Sequence, residues 1–315
     1  MTLITKANGV DYGKISKYLG SNSKDNVKTV GPSDNFHNKN AASVSITADG
    51  DNDGDQAIYI ADSNGDFRFT DDTAMSVSLW VKAGWDASLG TTVYFWTMHN
   101  VGEGAYDDMW RMFFTESNNR LYFEWSSGGD ANNRRYNFWH FHDNTGTYAT
   151  AYSASGGPNP WNSAARGNVG NDNYTMITIT KGSLNNSLYS NLKLYWNATD
   201  CGEGYYKSGS GGGTGTANLL ADTDKMVGLG TPTWNFNYSG NNTATKYMGL
   251  TMWDKELSSS EVTELYNSGA PLHAGTHSAY AANCVGYYPF QNDGVGEVAG
   301  TESFAINGNS TIEAK

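Results

Sequence analysis

In the stretch Met75-Ser76-Val77-Ser78-Leu79-Trp80-Val81 every second residue is apolar, placing Met75, Val77, Leu79 and Val81 on one face of an extended chain. A helix would scatter those four side chains around its circumference, so only a strand lying on a core satisfies them. Ser43 to Thr47 alternates in the same way, and Ala57 to Ile60 does so in part. Further runs of strand length lie at 92–97, 111–115, 121–125, 174–180, 192–196, 226–229, 247–252 and 285–290. Gly, Asn, Asp or Ser residues punctuate nearly every interval, which is the turn chemistry an antiparallel meander requires. Many short strands and few helices give an all-β sandwich or jelly roll.

Composition agrees with that class. Aromatic residues make up 13% of the chain, enough to bury a large core, which excludes global disorder. Glycine reaches 37 of 315 residues and charged residues only 17%, as expected of a chain rich in turns. No run of 18 apolar residues exists, so a membrane-spanning helix is not expected. Met1 to Lys6 lacks the apolar region of a secretory signal, so synthesis in a reducing host cytoplasm is expected. Only Cys201 and Cys284 are present, which excludes CxxC metal frameworks; a disulfide across the intervening 82 residues and two small buried thiols both stay open.

The net charge of −12 is uneven. Residues 1–40 carry six Lys against three Asp, leaving −15 on the remainder. An acidic body repels the phosphate backbone, so nucleic acid is not an expected partner. Residues 1–40 hold too little apolar surface to fold alone and read as an extended basic arm that docks the protein. Residues 41–315 read as one domain, with long loops at 126–173 and 207–216. One short helix is expected near 259–267: Ser258 and Glu261 form a capping box, Val262, Leu265 and Tyr266 share a face, and Gly269 stops the chain.

The phrase Asp55-Gln56-Ala57-Ile58-Tyr59-Ile60, followed by Met75 to Lys82, resembles the opening of laminin-G-like, concanavalin A-like domains. Met248-Gly249-Leu250-Thr251-Met252-Trp253-Asp254-Lys255-Glu256-Leu257-Ser258, continuing through Glu261 to Tyr266, resembles their closing strand and short helix. The likeness covers about residues 42–290 and implies a two-sheet antiparallel jelly-roll sandwich, a fold shared by lectins, glycosidases, adhesion modules and virion parts. Ala7-Asn8-Gly9-Val10, with Ile15-Ser16-Lys17, is similar to N-terminal phrases in structural proteins of tailed phages.

The chemistry-bearing residues divide into four groups. Glycosidases of this fold carry an E-x-D-x-x-E strand, and no such phrase occurs; Glu116, Glu124 and Glu203 have no acidic residue two or four positions away. Asp49, Asp51, Asp53 and Asp55 form a D-x-D-x-D-G phrase that reads either as a calcium loop or as an Asx-rich turn, since Ile60 occupies the position of a bidentate Glu. His140 and His142 lie at i, i+2 among aromatics, and half-buried side chains describe them better than metal ligands. Trp139, Trp161, Tyr148 and Tyr152 fall in the long central loop, where rings stack on sugar faces if a glycan is bound.

These readings give a non-enzymatic virion component of a tailed phage as the first expectation, a capsid decoration or tail-associated part. Residues 1–40 dock it to other virion proteins. The alternative is a carbohydrate-binding or adhesion module for host-surface glycans, and a glycan hydrolase is disfavoured. Calcium is the one cofactor the sequence suggests. The sequence leaves open whether copies associate with one another.

Overall fold

The computed structural model describes residues 6–7, 10–11, 42–46, 57–62, 69, 73–83, 92–100, 109–115, 120–126, 135–140, 174–182, 192–208, 225–229, 245–269, 272, 274–288, 304–307 and 311–314. Among them the strands are β1 Lys6–Ala7, β2 Val10–Asp11, β3 Ala42–Ile46, β4 Ala57–Asp62, β5 Met75–Ala83 and β6 Thr92–Asn100. Then come β7 Met109–Thr115, β8 Arg120–Ser126, β9 Arg135–His140, β10 Thr175–Lys181, β11 Leu192–Trp196 and β12 Thr199–Glu203. The last six are β13 Tyr205–Ser208, β14 Lys225–Leu229, β15 Thr245–Trp253, β16 Cys284–Tyr288, β17 Phe304–Asn307 and β18 Thr311–Ala314.

Among the described residues, two eight-stranded antiparallel sheets form a jelly-roll sandwich. The first runs β12-β11-β10-β5-β15-β3-β18, with β16 also paired to β15; the second runs β13-β9-β8-β7-β6-β14-β4-β17. The inward residues of β5 meet the second sheet as their alternation predicts. Val77, Leu79 and Val81, with Ile177, Ile179 and Leu194, pack against Trp96, Met98, Trp110, Met112, Phe123 and Trp125. The chain crosses between sheets at their edges. β12 passes through Gly204 directly into β13, and β17 is followed by β18, so each open side of the sandwich is bordered by consecutive strands.

β15 contains an interruption that its sequence does not announce. Its pairing with β5 shifts between Met248 and Thr251, and Gly249 there adopts φ +63°. The bulge changes the alternation, so Tyr247, Leu250 and Met252 all reach the inter-sheet core although the first two are three residues apart.

The outward face of the first sheet is covered by helix α1, Ser259–Tyr266, and the short helix α2, Tyr280–Asn283. The capping box is present: Glu261 N donates to Ser258 Oγ at 3.3 Å, and Ser258 N donates to Glu261 Oε2 at 2.8 Å. Val262 and Leu265 are buried beside Trp80, Met176, Trp253 and Leu257, and Tyr266 stacks on Trp80 at 5.6 Å. The helix ends one step earlier than its glycine suggests. Asn267 takes the left-handed cap at φ 45°, and Gly269 follows at φ +88°.

Three expectations change. Residues 126–173 are not one loop, because Arg135–His140 is a strand of the second sheet, paired between β13 and β8. Its alternation is hidden because Phe138 and Trp139 are both apolar and face opposite ways. The tract expected at 207–216 begins within β13. In the arm, β1 pairs antiparallel with β2, Lys6 opposite Asp11 and Ala7 opposite Val10, so this part is paired rather than simply extended.

Candidate functional site

The second sheet is aromatic on both faces. Met112, Phe114, Leu121, Phe123 and Trp139 point into the inter-sheet core. By alternation, Phe113, Tyr122 and Phe138 therefore lie on the outward face, and the register sets them side by side, Phe113 opposite Tyr122 and Tyr122 opposite Phe138. Tyr94 of β6, opposite Phe113, extends the row to a fourth strand.

The rings touch in sequence. Tyr94 and Phe113 are 5.5 Å apart and tilted; Phe113 and Tyr122 are stacked at 4.9 Å with planes 7° apart; Tyr122 and Phe138 are 5.6 Å apart and tilted. Two guanidinium groups lie against them. Arg111 Cζ is 4.9 Å from the Phe113 centroid and 5.8 Å from that of Tyr94, while Arg120 Cζ is 4.7 Å from that of Phe138. Arg120 Nη1 also donates to Tyr122 Oη at 3.4 Å.

One carboxylate completes the face. Glu124, paired across the strands with Arg111, accepts from its Nη2 at 2.7 Å, and both side chains are at least 95% buried. Tyr94, Phe113 and Phe138 are also buried, whereas Tyr122 and Arg120 are half-buried.

The residues singled out by sequence are placed as follows. Trp139 belongs to the core: it is 6% exposed, and its indole N–H donates to the Gly202 carbonyl at 3.0 Å. A sugar-stacking ring on a loop is not what β9 provides there. The outward side of that strand carries its neighbour Phe138 instead. Trp161, Tyr148 and Tyr152 lie outside the described residues, as do Asp49, Asp51, Asp53 and Asp55, with the calcium they would hold. His140 lies on β9. Among the described residues no group of three or more His, Cys, Asp or Glu side chains is arranged to hold a metal. Cys201 and Cys284 are free thiols, and burial pushes each up to about 12, so neither is poised as a nucleophile. The row Tyr94, Phe113, Tyr122 and Phe138 was missed because its members are spread over four strands. Only the register brings them together.

No protein-family profile and no curated sequence matches the chain. Among solved structures it is similar to the botulinum neurotoxin serotype D binding domain, at 14% identity over 73% of this chain and 46% of that one, with a TM-score of 0.43. It is similar to the native heptameric SAP-like pentraxin of Limulus polyphemus, at 9% identity over 87% of this chain and 95% of that one, with a TM-score of 0.44. A third is the binding domain of Paraclostridial Mosquitocidal Protein 1, at 15% identity over 72% of this chain and 43% of that one, with a TM-score of 0.40. The chain spans under half the length of those toxin binding domains. None of these superpositions is close enough to transfer a site residue.

Proposed function

We propose that the protein is a non-catalytic, carbohydrate-recognising jelly-roll module that takes its ligand on the outward face of the second sheet. The observation that carries this reading is the row Tyr94, Phe113, Tyr122 and Phe138, flanked by Arg111 and Arg120 and separate from both buried clusters of the fold. Tyr122 and Arg120 are the half-buried members of this outward layer and so the groups on it that a partner meets first. Sugars match such a surface. Their C–H faces lie against apolar rings, and their hydroxyls find the guanidinium, phenol and carboxylate groups beside them.

The same face argues against hydrolysis. Glycoside cleavage uses two carboxyl groups about 5–10 Å apart. Among the described residues of this face Glu124 is the one carboxylate, and it is ion-paired with Arg111. The first expectation from sequence, a virion component docked through residues 1–40, rests on the sequence alone.

The test is a glycan array probed with the whole chain, followed by titration of any glycan found against Tyr122→Ala and Phe138→Ala. Binding of a defined glycan class, weakened about tenfold or more in Tyr122→Ala with little change in melting temperature, is the expected result. A wild-type chain that binds no glycan overturns the proposal.

A further inference from the structure

His277 lies in the turn that precedes α2, and its ring is enclosed. None of the side chain reaches solvent, and the ring rests against Trp253 with centroids 4.8 Å apart. Both ring nitrogens are engaged. Ala279 N donates to Nδ1 at 3.1 Å, so Nδ1 carries no proton. Nε2 faces the Glu261 carbonyl at 2.9 Å, which only accepts, so the single ring proton sits there. Only the neutral imidazole satisfies both bonds. A second proton belongs on Nδ1, where it meets the Ala279 N–H head-on and leaves two buried donors without an acceptor.

The turn is fastened by local bonds. His277 N donates to the Ala274 carbonyl at 2.9 Å and Tyr280 N to the His277 carbonyl at 3.0 Å, while Ser278 is bound to Glu264 of α1. Ala274 and Ala279 are buried with Trp253, Leu265 and Tyr287 in a cluster distinct from the inter-sheet core. Residues 274–279 can therefore part from α1 without opening the sandwich. Asn283, at the end of α2, is tethered separately through Asp254. Among the described residues, the charged group facing the ring is Glu264, with Oε2 3.7 Å from Nε2. It stands beside the nitrogen that is already protonated, so it eases a cation without replacing the acceptor lost at Nδ1. The Glu261 carboxylate is engaged by Lys255 and Ser258, and that of Asp254 by Asn283.

We infer that His277 is an acid-sensitive latch: uptake of one proton on its ring releases residues 274–279 from α1 and uncovers Trp253, while the two-sheet core stays closed. The closed form has no place for a proton on Nδ1 and the open form has one. Opening is thus favoured as pH falls, by up to about tenfold per pH unit, the slope of a single proton. The range is the one in which a free imidazole changes charge, about pH 5 to 8, above the acid window of Glu261.

The experiment follows hydrogen exchange of the whole chain by NMR from about pH 7.5 to 5, each amide rate being divided by its intrinsic rate at that pH. The expected result is protection at His277, Ser278, Ala279 and Tyr280 that falls by up to about tenfold per pH unit. The fall tracks the His277 C2–H chemical shift and a red shift of tryptophan emission, and protection in β7 and β8 holds. His277→Gln keeps a donor toward the Glu261 carbonyl but has no titrating ring; His277→Asn keeps an acceptor for Ala279 N. Both lose the pH dependence. Protection that does not change with pH in the wild type, or a His277 ring that titrates while the turn stays protected, overturns the latch. The same slope in either substituted chain that folds also overturns it. So does loss of protection in β7 and β8 together with the turn, which is global unfolding. If neither variant folds, the two wild-type readouts decide.

Discussion

Arg111 and Glu124 form a buried ion pair on a sheet face that is not the sandwich core. Transferring two charges from water costs about what their attraction returns, whereas removing one leaves the other uncompensated. Glu124→Ala is therefore expected to lower stability by about 3–5 kcal/mol, while the double variant Arg111→Met/Glu124→Leu stays near the wild type. Chemical denaturation of the three proteins checks this, and a double variant as unstable as the single one would show that the pair itself holds the sheet. A smaller strain sits in the β11–β12 turn, where Asn197 and Ala198 adopt φ 49° and 61°. Such a turn normally ends in glycine. Here the Asn197 side chain helps hold it, accepting from Met176 N at 2.9 Å while Asn197 N donates back to Met176 O.

Helix α1 is only eight residues long, too short to persist without its cap and its packing on the first sheet. It is tied to the turn before α2, where Ser278 N and Oγ donate to Glu264 at 2.8 and 2.6 Å and His277 Nε2 donates to the Glu261 carbonyl at 2.9 Å. Burial works to raise Glu261, but hydrogen bonds from Lys255 and Ser258 outweigh it and bring the carboxyl from 4.5 down to about 2. A folded-state value below the unfolded one means that the folded chain binds fewer protons. The stabilisation is thus present above pH 4.5 and is lost as pH falls toward about 2. The melting temperature of Glu261→Gln should consequently fall less steeply than that of the wild type across that window. Parallel curves for the two proteins would show that the cap does not contribute through charge. At this scale the sequence was most readable, because Ser258, Glu261, Val262 and Leu265 encode start, cap and buried face within two turns. Strand β9 was least readable, since Phe138 and Trp139 give no polar–apolar contrast to mark two buried faces.

Across the whole molecule, the chain joins its two sheets at Gly204. A Cβ there would lie 2.8 Å from Trp139 Cε2 and Cζ2 and 2.9 Å from Asn137 Cβ, so an alanine must displace the indole or the chain. Gly204→Ala is expected to cost about 1–3 kcal/mol and to shift the fluorescence of the buried tryptophans. An unchanged melting curve would mean that the corner relaxes freely. The exposed edge beside it is protected from pairing with other chains: Asp200 and Glu203 put carboxylates along β12, and the register with β11 shifts between Lys193 and Tyr195.

The alternation of Met75 to Val81, the aromatic content and the Ser258 cap were sufficient by themselves to specify an antiparallel all-β sandwich with one short helix, because period, capping and burial are local properties of adjacent residues. Tertiary structure decided which strands are neighbours. Tyr94, Phe113, Tyr122 and Phe138 form one row only because β6, β7, β8 and β9 pair in this register. Trp139 turned inward because the opposite side of β9 was taken by Phe138, and a one-residue change of register would have exchanged them. Register is set by contacts between residues distant along the chain, so the fold class was legible locally and the candidate site was not.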